Sequence, residues 1–135
     1  MRRLLLLVPI GLVAAACGSS SSASKPFLPE PTAACLRDQG FTVSTRPQDL
    51  QIVIQLADNG GLVAHTTKNA NTLQIAFAAG PKGAVDEFRK IARVAPKQLR
   101  LHIRDVASIA RNAVLLWTVA PTQKQQQTVL DCLKS

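Results

Sequence analysis

The sequence has no tyrosine, one tryptophan and four phenylalanines in 135 residues. So few aromatics argue against a sheet that stacks nucleic-acid bases, which needs several flat side chains on one face. Nucleic acid is therefore not an expected partner. There are three cysteines and two histidines, His65 and His102. They form no CxxC or HxxxH, so the ligand spacing of a structural zinc site is missing. No GxSxG occurs, and the serines cluster at 19–22, where no base can be positioned. "GPKGA" at 80–84 precedes a helical pattern but lacks phosphate-loop spacing, and Pro81 removes an N–H donor. We expect no catalytic set, no metal and no cofactor. Acidic residues are also scarce, eight against sixteen Lys and Arg, for a net charge of +8. Such a chain attracts anions: phospholipid headgroups, acidic wall polymers or nucleic acid.

What is present begins at the N-terminus with "MRRLLLLVPIGLVAAAC". Arg2 and Arg3 precede thirteen almost purely apolar residues, Leu4 to Ala16. As a helix these would rise about 20 Å, too short for a hydrocarbon core of about 30 Å. Three alanines then lead to Cys17, and "GSSSSAS" follows. A buried core element would not run straight into such a polar tract. The arrangement is that of an export signal.

On these residues the chain resembles a bacterial lipoprotein precursor, with "VAAAC" as the cleavage pattern and Ala14 where the commonest form has leucine. The resemblance implies cleavage before Cys17 and acylation of its thiol and new amino group. More than one acyl chain is what stable anchoring needs. A plain secreted form is the alternative. Loss of Arg2 and Arg3 with residues 1–16 would take the net charge from +8 to +6. Pro26, Pro29 and Pro31 disfavour a helix, so 17–31 is expected as a flexible Ser/Pro tether and 32–135 as one small domain.

With Cys17 assigned to lipid, Cys35 and Cys132 remain. An exported chain meets an oxidising environment, where an even pair suggests a disulfide. The other reading is two buried free thiols. Thr32 and Gly40 bound a first helix. The piece 47–58 reads as helix by its glutamine spacing and as strand by Ile52-Val53-Ile54. Strands are predicted at 62–67 and 72–78, followed by a helix from Pro81 with Val85, Phe88, Ile91 and Ala92 inward. Alternation then predicts a strand over 99–107, with Arg100, His102 and Arg104 outward, and its partner over 113–120. A closing helix carries Val129, Leu130, Cys132 and Leu133.

The expected fold is α+β: an antiparallel four-stranded sheet with helices on one face, nearest to a ferredoxin-like sandwich. "AACL", "NAVLLW" and "DCL" also resemble small exported domains of high-GC bacteria, a likeness that implies no activity. A basic face is expected from Arg89, Lys90, Arg93, Lys97, Arg100, His102 and Arg104, with Trp117 beside it. The function expected is a non-enzymatic, lipid-anchored protein on the extracytoplasmic side of the cell membrane. Its partner would be an anionic lipid surface, a wall polymer or another protein. Two other classes stay open. One is an enzyme or ligand carrier, which would hold His65 or His102 in a polar cleft. The other is a domain that oligomerises through its sheet.

Overall fold

The computed structural model describes residues 24–66, 68 and 70–135. The expected signal segment, Cys17 and most of the expected tether lie outside these residues. The fold is α+β, with one open sheet of five strands in the order β1-β2-β3-β5-β4. These strands are β1 (Thr42–Ser44), β2 (Gly61–His65), β3 (Thr72–Phe77), β4 (Ala107–Ala110) and β5 (Ala113–Trp117). All four pairings are antiparallel. The expected count of four strands missed β1, which adds at the edge through Val43 opposite Ala64.

The chain folds earlier than the expected boundary at Thr32. Helix α1 runs Pro29–Asp38, with a proline in its first turn, where a missing N–H costs nothing. Phe27 is already buried. Its N–H donates to Asn112 Oδ1 at 2.7 Å, and Asn112 Nδ2 returns a bond to Phe27 O at 3.0 Å and another to Ala78 O at 2.8 Å. The Arg111 guanidinium covers the Phe27 ring, 4.3 Å from its centroid. The backbone of the entering chain is thus satisfied by one fully buried asparagine rather than by a strand.

Segment 47–58 is helical in two pieces: a 3-10 turn at Pro47–Asp49 and the single turn α2 (Ile52–Gln55). Its apolar run is half explained, since Ile54 is fully buried while Ile52 stays exposed. Helix α2 lies on the face of the sheet that carries Gly61 and Gln74. A Cβ on Gly61 would collide with Ile54 Cγ2, and Gln51 N–H donates to Gln74 Oε1 at 3.3 Å. Helix α3 (Pro81–Val94) packs on β3, β4 and β5 with Gly83 beside Asp58, just past α2. Its buried stripe is Ala84, Glu87 and Ile91, with Phe88 and Ala92 half-buried, so the helix is turned from the expected stripe and Val85 is exposed.

The opposite face carries Leu62, Leu73, Ile75, Leu115 and Trp117, all nearly or fully buried. Helix α6 (Gln123–Leu133) covers it, with Gln126 near Trp117, and α1 packs alongside α6. Helices therefore cover both faces, not one. The physical sign is β5, in which all five residues are buried. A strand buried on both faces reads as a continuous apolar run, as "AVLLW" does. Strands β3 and β4 run parallel with β5 between them, joined through α3. That split crossover is the one part of a ferredoxin-like arrangement present; β2 reaches β3 by a hairpin instead.

The disulfide joins Cys35 on α1 to Cys132 on α6, with Cα atoms 5.4 Å apart across 97 residues of sequence. A closed loop of that length stabilises by up to about 4–5 kcal/mol in the chain-entropy view.

Replacing Asn112 with alanine strands the buried Phe27 N–H and the Phe27 carbonyl, while Ala78 O keeps its bond from Asn59 Nδ2 at 3.1 Å. Stability should fall by about 3 kcal/mol, read from the urea midpoint at unchanged slope. A loss under about 0.5 kcal/mol would mean that Phe27 is not held there.

Candidate cation-rich end and its clefts

The expected basic face divides on inspection. Residues 99–106 do not form a strand. Lys97–Leu101 is helix α4 and Ile103–Val106 is helix α5; the strand begins at Ala107. Pro96 caps α4, and the strand itself is the weakly patterned "ASIA". Arg100, His102 and Arg104 therefore project from two short helical turns rather than alternating along a sheet.

Three of the expected side chains are already engaged. Arg89 pairs with Asp86 at 3.0 Å, and Lys90 with the buried Glu87 at 3.2 Å. His102 Nδ1 lies 3.5 Å from Asp105. Trp117 is 2% exposed and belongs to the core, though it borders a small cleft that Arg104 and Gln126 also line. Among the described residues, Arg93, Lys97, Arg100 and Arg104 make no ion pair. Val94 and Leu101 are exposed among them, at 67% and 68%.

Strand directions locate these groups. β3 ends and β5 begins at the end of the sheet where Phe27 and Asn112 meet, so Ser24 enters there. Helix α3 starts at that end and runs away from it for 14 residues, about 21 Å. Arg93 to Arg104 therefore occupy the far end. The β2–β3 turn with Lys68 and the start of α6 with Lys124 reach the same end. Asp38 and Asp105 are the acids there, so cations prevail.

Two clefts flank this end. One, of about 470 Å³, lies between the end of α1, the β2–β3 turn and the start of α6, with Phe41, Lys68 and Lys124 on its walls. The other, of about 650 Å³, follows the β1 edge and includes Arg37, Ser44, Arg46, Asp49 and His65. In the second, Asp49 takes up the polar groups. Ser44 Oγ donates to it at 2.5 Å, and Arg46 forms an ion pair with it at 2.9 Å. His65 Nδ1 sits 3.0 Å from Thr72 Oγ1, a bond within the sheet. His65 therefore lines a polar cleft and meets the Thr72 hydroxyl, whereas His102 faces Asp105. No group of ligating side chains that could hold a metal ion occurs among the described residues, and no helix there is long and apolar enough to cross a membrane.

No protein-family model, curated protein or solved structure matches the chain. The arrangement of its own side chains is what bears on function.

The Ser44 hydroxyl holds the Asp49 carboxyl below its usual value, helped by Arg46 and opposed by desolvation. A carboxylate with a depressed folded value adds stability above its unfolded value, lost as pH falls through the folded one. In Ser44→Ala, an NMR titration should find Asp49 moved upward toward the ordinary carboxylate range. An unchanged value would remove Ser44 as the cause.

Proposed function

We propose that this chain is an exported, non-enzymatic envelope protein, anchored through lipid on Cys17, that holds an anionic wall polymer at the end of its domain far from the anchor. The observation that carries the reading is the position of the unpaired cations. Arg93, Lys97, Arg100 and Arg104 sit at the opposite end of the sheet from Ser24. Six residues separate Cys17 from Ser24, a reach of at most about 25 Å over the seven Cα–Cα steps. A domain tethered so closely presents its cationic end outward, away from its own membrane. "VAAAC" supports the anchor, and the Cys35–Cys132 bridge suits an oxidising, extracytoplasmic compartment.

A second reading rests on Val94 and Leu101, whose exposed side chains lie among the cations. Apolar groups ringed by Lys and Arg suit the surface of an anionic membrane. In that reading the domain lies on its side.

Binding to poly(glycerol phosphate) and to phosphatidylglycerol vesicles separates the two. The chain should bind the polymer at low salt and release it as salt approaches about 0.5 M, where the screening length is only a few ångströms. The triple variant Arg93→Glu, Arg100→Glu, Arg104→Glu should weaken polymer binding by at least about tenfold while leaving the unfolding midpoint nearly unchanged. Binding to vesicles alone would favour the second reading. Binding to neither would end both.

A further inference from the structure

We propose that the cleft between α1, the β2–β3 turn and α6 is a binding site for a phosphorylated sugar unit. The inference rests on the wall-polymer reading and names a sugar phosphate as the group of such a polymer that the cleft would hold. Three segments distant in sequence build the cleft. Gly40, at φ +88, ends α1 in the left-handed conformation that favours glycine and turns the chain so that Phe41 forms part of the wall. Lys68 comes from the β2–β3 turn, and Lys124 from the first turn of α6. The volume, about 470 Å³, suits one small ligand.

The chemistry of the lining selects the ligand. Lys68 and Lys124 are exposed and make no ion pair among the described residues. Coming from two separate elements, they can meet a phosphate group from two sides. The neutral groups are half engaged. Gln125 Oε1 accepts from Thr122 N–H at 2.9 Å, which leaves its amide N–H groups free to donate. Thr128 Oγ1 donates to Lys124 O at 2.9 Å, which leaves its lone pairs free to accept. Spare donors beside spare acceptors are what vicinal hydroxyls require. Half-buried Phe41 offers the apolar surface against which the C–H face of a sugar ring rests. The start of α6 is closed by its own capping box, so the helix end is not the anion site; the side chains are. The larger cleft at the β1 edge lacks this character, because Asp49 already takes up Arg46 and Ser44.

The test is a ¹⁵N NMR titration of the full chain in detergent micelles with glucose 1-phosphate, glucose and inorganic phosphate. Glucose 1-phosphate should shift the amides of Gly40, Phe41, Lys68, Lys124 and Gln125. It should bind at least about fivefold more tightly than either fragment, since only it engages both kinds of group. Lys68→Gln with Lys124→Gln should weaken it by about tenfold, with the spectrum otherwise retained. Inorganic phosphate binding equally well would overturn the sugar assignment and leave a plain anion site. Shifts confined to 93–104, or none, would overturn the site itself. The triple arginine variant separates this from failure of the wall-polymer reading: it should lose the polymer and keep the cleft titration.

Discussion

The bond between Cys35 and Cys132 is the constraint on which the rest of this structure depends. It joins the first helix to the last, and these two helices form the layer over one face of the sheet. The last helix, α6, is held on the sheet by its buried side. The helix is kept by Val129, Cys132 and Leu133, all buried, and by a sulfur bridge that shortens the unfolded chain's loop. Under that layer lie Trp117 and Phe77, the two largest fully buried side chains, with Leu73 and Ile75. The same bond is the physical link to location, because such bridges persist where the surroundings oxidise thiols.

Two asparagines close the sheet at its ends. Asn112 receives the incoming chain at Phe27, and Asn71 holds the outgoing chain through Val119 O at 2.9 Å and Val119 N–H at 3.0 Å. Both side chains are buried, and each offers the donor and acceptor pair that a neighbouring strand would have offered. Because these bonds hold the ends, the connections beyond them need not pack, and at the far end those connections carry the unpaired cations. Fold and charge distribution are related in this way. The entering end is fastened by Arg111, Asn112 and Phe27, while the far end presents lysine and arginine to solvent.

Much of this order is legible in the residues, for physical reasons that differ by element. The strands around Leu62–Ala64 and Leu73–Phe77, the helix opened by Pro81 and the capped helix from Thr122 carry clear periodicity or clear punctuation. The sulfur pair follows from counting. The segment "LRLHIR" fails because alternation is a cue only when a sheet is available to receive it. Here Pro96 starts a helix, and the true edge strand, "ASIA", has too little contrast between its faces to announce itself. Trp117 is harder to place, since a residue on a strand buried on both faces cannot be assigned a side by alternation alone. Phe27 and Pro29 were expected in a tether because proline there signals extension; tertiary burial of the phenyl ring and a proline at a helix start override that signal. Of the candidate site, the cations were legible as residues. Their gathering at one end, and the cleft built from Phe41, Lys68 and Lys124, required the fold.

The account stands on a chain exported, fastened at one cysteine and bridged at the other two. The most direct measurement is the intact mass and peptide map of the protein recovered from its native cell, alkylated without reduction. The account predicts a chain beginning at Cys17 with acyl groups on that residue, and no alkyl group on Cys35 or Cys132. A chain that retains residues 1–16 and carries alkyl groups on both Cys35 and Cys132 would contradict it.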